Sequence, residues 1–321
     1  MSLTPAFKAL LKAPKYAART SQRSPGKMIP AGSSGEPLQP PRTALLQDLF
    51  QRVSSSAERH HIGWGEWMTV MVRIHTNSQT ATMFALNSPG SLQAMHRFVM
   101  SQEGSQELRP VVERVNRACL MREVGLKCIG LIGTPKSINN LAALRAMVDA
   151  DSECAKEMPS EPRREISAGE WDHVCDVGAK LYKDIYQEKA ERLRQVLSHS
   201  HPDLSVYILQ SEYGPLFAPP PSYKGTAEPV WEVNRVRVSL MNMSALHAQG
   251  GVAPQVTSHT FGLLRSKPSF QHVQGAQREG LEFLASIQGA EWVINTVNDI
   301  AFVLEGTEEE DRQTPSPPSR L

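Results

Sequence analysis

Apolar residues recur every three or four positions along most of this chain, the spacing that gathers side chains on one face of an α-helix. Thr43 opens such a run through Leu45, Leu46, Leu49 and Val53. Runs from Trp64 to Ile74 and from Gln79 to Leu86 follow, the second stopping near Pro89-Gly90, and Ser91 heads another with Leu92, Met95, Phe98 and Val99 on one side. Leu108 to Ile132 is the longest apolar stripe of the first half; it ends at Gly133-Thr134-Pro135, after which Ser137 caps a helix through Leu141, Leu144 and Val148. Alternation of period two is nowhere sustained, Val206 to Leu209 being too short to count, so the pattern predicts an all-α architecture.

Past a polar, proline-containing stretch from Asp149 to Arg164, Ser167-Ala168-Gly169-Glu170 has capping-box spacing, in which a hydroxyl and a carboxylate satisfy the free amides of a helix start. The helix it opens carries Trp171, Val174, Gly178, Leu181 and Ile185 in register, and Gly178 leaves room for a neighbouring helix. A short helix from His201-Pro202-Asp203 to Tyr213, a loop from Pro219 to Gly225, and two last helices, Gln277 to Ile287 and Ala290 to Leu304, complete the pattern. The expected organisation is two helical halves, 44–150 and 165–306, between a basic disordered or targeting segment, 1–43, and an acidic, proline-rich tail, 307–321.

The stretch from Glu228 to Arg265 reads as a long helix entered through Glu228-Pro229, a break at Gly250-Gly251, and a second helix restarted by Pro254. On that second helix Gln255 and His259 stand four residues apart and so leave one face. A histidine there serves equally well as a buried structural group or as a site residue.

This arrangement resembles the carboxymuconolactone decarboxylase and alkylhydroperoxidase D-like family, through Pro254-Gln255-Val256-Thr257-Ser258-His259 after the glycine break. Laid on the Cys-x-x-Cys-x-x-x-His phrase of the peroxidase branch, Val252 and Gln255 occupy the two cysteine positions and His259 the histidine, so the likeness is to a cysteine-less branch. Arg122-Glu123-Val124-Gly125-Leu126-Lys127 and the phrase from Leu131 to Leu141 look like wording of fungal relatives, as do His201-Pro202-Asp203 and Tyr213-Gly214. The resemblance implies an alkylhydroperoxidase D-like helical fold, association into homo-oligomers, and a site in which His259 is general acid or base and Gln255 hydrogen-bonds a substrate oxygen. Glu232, or else Glu228, would orient the imidazole.

Composition narrows the classes further. With 321 residues, 40% of them hydrophobic, the chain can bury a proper core, and no apolar run approaches the ~20 residues that span a bilayer. Net charge is +1, but Lys8, Lys12, Lys15, Arg19, Arg23 and Lys27 put +6 in the first 35 residues and leave −5 on the rest, so the body offers no broad basic face to nucleic acid. Cys119, Cys128, Cys154 and Cys175 include no C-x-x-C pair and read as reduced thiols. Neither a phosphate-cradling glycine motif nor a third ligand beside His60-His61 or His199 and His201 is present, so no cofactor or metal is expected.

The acid-free basic start, amphipathic from Phe7 to Leu11, has the composition of a mitochondrial targeting peptide. At the other end Ser319-Arg320-Leu321 is a conservative variant of the Ser-Lys-Leu peroxisomal address, so the expected partner is the peroxisomal import receptor. The sequence leaves two functional readings in front: acid–base chemistry on a small organic acid or lactone, and a catalytically inactive helical binding or assembly module of the peroxisomal matrix. A thiol peroxidase using Cys128 or Cys175 is disfavoured by the empty cysteine positions.

Overall fold

Gly250 and Gly251 take φ of 75° and 74°, a left-handed conformation that side chains with a Cβ rarely adopt, and there the chain turns between its two central helices. In the computed structural model, which describes residues 3–13, 40–41, 43–70, 80–101, 107–220 and 228–305, sixteen α-helices account for most of the chain. In order they are α1 Pro5–Lys12, α2 Thr43–Glu58, α3 Trp64–Val70, α4 Thr80–Leu86, α5 Pro89–Met100, α6 Val111–Lys127, α7 Ile129–Ile132 and α8 Thr134–Asp149. There follow α9 Ser152–Glu157, α10 Trp171–Tyr186, α11 Ala190–Ser200, α12 Leu204–Tyr207, α13 Arg235–Gln249, α14 Ala253–Leu264, α15 Gly275–Leu284 and α16 Ile287–Glu305. Among the described residues there is no strand, and the fold is all-α; an isolated bridge pairs Ser101 with Leu108.

Helix α13 is the axis. Every residue from Val236 to Ala248 is buried, and the helix packs against α3, α4, α7, α14 and α16. Some of its polar members find partners: His247 Nε2 lies 2.8 Å from Asn298 Oδ1 on α16, and Ser239 Oγ accepts from Arg235 of the same helix at 2.7 Å. Residues of 44–150 and of 165–305 join one continuous apolar cluster around it.

Several local details follow from the sequence. The capping box forms, with the Glu170 carboxylate accepting from the Ser167 amide and hydroxyl at 3.2 and 2.7 Å. Gly178 lies so close to a π-helix, Ile208–Phe217, that a Cβ on it would sit 2.4 Å from the Gly214 amide nitrogen. The Leu108–Ile132 stripe is divided at Cys128 into α6 and α7.

Other details differ. The long helix expected from Glu228 begins only at Arg235, because Asn234 takes the capping position and its side chain accepts from the Arg237 amide at 3.1 Å. Residues 228–234 are therefore an irregular lead-in. The polar stretch 149–164 contains α9, whose start Asp151 caps through the Cys154 amide. The helical piece that the pattern allows between Pro5 and Pro14 forms as α1, but its apolar side is not free: Leu3, Phe7 and Leu11 are buried, with α1 against α14 and α16. Residues 14–39 and 306–321, including Ser319-Arg320-Leu321, lie outside the described residues.

Candidate functional site

The Gly250-Gly251 corner lays α14 along α13 as expected, yet it does not gather the three residues singled out in the sequence. Gln255, in the first turn of α14, is exposed. His259, one turn on, is buried; its Nδ1 lies 3.3 Å from Asn242 Nδ2 on α13, and its ring meets the edge of Tyr186. Four-residue spacing fixes a common side of a helix, but here that side runs from solvent into the core within one turn. Burial, helped by the Arg235 charge, pushes the His259 pKa down to about 4, so the imidazole is neutral at physiological pH.

Glu232 faces another way. It sits in the lead-in to α13, 1% exposed, and its carboxylate accepts from Lys127 Nζ at 3.1 Å, from Arg163 Nη1 at 3.1 Å and from the Val233 amide at 3.1 Å. Lys127, at the end of α6, is fully buried and spends its other protons on the Phe217 and Val233 carbonyls at 3.0 and 3.3 Å, with Glu123 Oε1 at 3.6 Å. Arg163 reaches Glu123 as well, at 2.8 Å, and Arg164 grips the same carboxylate with both terminal nitrogens. Burial alone would raise the Glu123 pKa; Lys127, Arg164 and Arg163 outweigh it and hold the carboxyl below its usual range.

A second buried pair borders this network. Arg237, early on α13, meets Glu66 of α3 at 3.2 Å and donates to the Val230 and Glu232 carbonyls at 2.8 and 2.7 Å. Its guanidinium also lies 5.8 Å from the centre of the Trp64 ring. Gly65 is required beneath it, since a Cβ there would stand 1.6 Å from Arg237 Nη2. Together Arg237, Lys127 and Arg163 hold the irregular 228–234 lead-in in place from three directions.

Between that lead-in, α3 and the segment after α14 lies a cavity of about 520 Å³, in the range of small-molecule sites. Trp64, Phe217, Phe270 and Leu281 give it apolar walls, while Glu66, Arg237, Arg235, Glu228, Glu232 and His272 give it polar ones. The charged groups are mostly committed: Arg237 to Glu66, Arg235 to Asp184, Glu232 to Lys127 and Arg163. Glu228 is the least committed carboxylate, and burial, then the neighbouring Glu232 charge, raises its pKa against the opposing pull of Lys127. Of the two acids considered in the sequence, both line the cavity, and Glu232 is the one tied up by Lys127 and Arg163. His259 and Gln255 do not line it.

The residues that sequence reasoning missed are Lys127, Glu123, Arg163, Arg164, Glu66 and Arg237. Glu123 and Lys127 were visible as an i, i+4 acid–base pair on one helix face, within the phrase that carries part of the family resemblance.

Burial disfavours the thiolate at each cysteine. Cys119, Cys128 and Cys154 are buried and Cys175 is half-buried, and burial raises the pKa of all four, to about 11 for Cys119 and Cys154. Purified protein is therefore expected to show no dithiol-dependent peroxide turnover; turnover that vanishes in Cys175→Ser or Cys128→Ser would refute this.

No family model and no solved structure matches the chain. Over 114 residues it is 30% identical to Peroxisomal protein 2 of Saccharomyces cerevisiae. That stretch takes in 30% of this chain and 40% of the yeast protein, less than half the length of the relative it matches.

Proposed function

We propose that this protein is a carboxymuconolactone decarboxylase-like helical protein of the peroxisomal matrix, and that it binds a small organic acid or lactone in the cavity at the foot of α13. The observation that carries the reading is the cavity itself: apolar walls combined with a buried, pre-oriented Glu66–Arg237 pair are what a binding site needs in order to hold a mixed polar and apolar guest without reorganising. The glycine corner followed by Pro254 in the first turn of α14 supports the family resemblance. Location is supported by the similarity to a yeast peroxisomal protein and by the terminal Ser319-Arg320-Leu321.

A panel of lactones and short organic acids is expected to contain members that raise the melting temperature of the full-length protein. Val273→Trp, which fills the cavity from its partly exposed rim, removes the shift while leaving the unliganded protein folded. A panel without effect, or equal shifts in the variant, would sink the binding reading.

Acid–base turnover in the same cavity is a second reading, favoured by one observation, the loosely committed Glu228 with its raised pKa. It requires Glu228→Gln to abolish turnover while ligand binding persists.

Location is tested separately. Removing Leu321 or capping the carboxyl end with a tag is expected to take the protein out of peroxisomes without unfolding it, since the import receptor reads a free terminal address. Peroxisomal retention of the capped protein contradicts the assignment.

A further inference from the structure

The stretch after α9 does more than connect two halves. Pro159 to Arg164 lies beside α6 and α8 and, with Trp231 from the lead-in to α13, borders a second, open cavity of about 300 Å³. This cavity is chemically unlike the first. On its wall Arg163 and Arg164 stand against the single buried carboxylate of Glu123, with Lys127 and Glu232 continuing the ion network behind it. Arg122 adds another cation at the cavity and has no acidic partner among the described residues, while Glu161, also on the lining, is exposed to solvent.

Positive charge gathered on one wall and left partly unmatched is costly. A guest bearing a negative charge matches it. Leu126, Leu141 and Pro159 line the cavity further, as does Trp231, whose indole has Arg163 stacked 4.2 Å from its centre. We propose that this second cavity binds a small organic anion, a carboxylate or phosphate on a short apolar body, with Arg122 and Arg164 as its charged contacts and Leu126 and Leu141 against its carbon chain. Because Trp231 on its lining belongs to the 228–234 segment, the bound anion also touches the lead-in that borders the first cavity.

The test uses purified full-length protein, with Trp231 emission as the reporter and butanoate, inorganic phosphate and butanamide as probes. Saturable quenching by butanoate or by phosphate is expected, with none from the neutral amide, and the stronger of the two anions identifies the head group. Trp231→Phe should remove the signal, and Arg122→Gln should weaken binding by about tenfold or more without lowering the melting temperature, since a charge-assisted contact is lost and no structural partner is. Leu141→Trp, which fills the cavity, should abolish binding as well. The proposal is overturned if neither anion gives a saturable signal, if the amide binds as well as the anions, or if Arg122→Gln and Leu141→Trp bind like the parent. Val273→Trp is expected to bind these anions normally, so failure of the first-cavity reading and failure of this one are told apart.

Discussion

Replacing Lys127 by Met is expected to cost about 3–5 kcal/mol of folding stability, seen as a lower urea midpoint at unchanged slope. The methionine keeps the apolar stem in place, so what is lost is the charge. Lys127 is fully buried, every proton of its ammonium has an acceptor, and two of its neighbours are the buried carboxylates of Glu123 and Glu232. Without it those carboxylates keep Arg163 and Arg164, but the Phe217 and Val233 carbonyls and one oxygen of Glu232 lose a donor in a place water does not reach. Adding Glu232→Gln to Lys127→Met should recover part of the loss, and the resulting double-mutant cycle should give a coupling of at least about 1 kcal/mol. A Lys127→Met protein as stable as its parent would mean that the network is a surface-like arrangement of little consequence.

The network explains why the fold was more legible in the sequence than the site. Period, caps and breaks are local signals: Ser167 with Glu170, Pro254 after Gly250-Gly251 and the stripe from Leu92 to Val99 each announce their element within a few residues, and each element is there. The glycine at 178 even announced a close approach, though not that its neighbour would be Gly214 on a π-helix. Ion pairs at long range give no such signal. Glu232 lies 105 residues from Lys127 and 69 from Arg163, and Arg163 stands in the polar, proline-containing stretch that reads as a boundary between the two halves. Nothing in the pattern distinguishes a charged connector that hangs in solvent from one that is drawn down onto a buried carboxylate. The same holds for the start of α13: Pro229 is a good first-turn residue, but Asn234 supplies a side-chain acceptor for the helix amides and Pro229 supplies none. Moving the helix start by that much turned Glu232 away from α14 and toward α6, and separated it from His259.

That separation makes His259→Ala the experiment with the clearest contrast. The substitution is expected to lower stability at neutral pH by about 2–4 kcal/mol, because it empties a buried ring site between α10 and α13 and leaves the Asn242 amide without its partner. Binding in the first cavity should be unaffected, since His259 does not line it. The acid dependence follows from linkage. The imidazole titrates at about 4 in the folded protein against 6.5 ordinarily, so above pH 6.5 it is neutral in both states and adds no slope. Between 6.5 and about 4 the unfolded chain takes up a proton that the folded one refuses, and stability falls as pH drops, by about 2 kcal/mol at pH 5 and about 3 kcal/mol at pH 4. His96, also pushed down to about 4 by burial, contributes with the same sign in both proteins and cancels from the comparison. The alanine variant lacks the His259 share, so the stability gap between variant and parent should narrow by about 2 kcal/mol when urea unfolding is moved from pH 7.5 to pH 5. A gap that stays constant would mean that His259 is not buried and neutral in solution; a variant of parental stability that has lost ligand binding would restore the imidazole to the site.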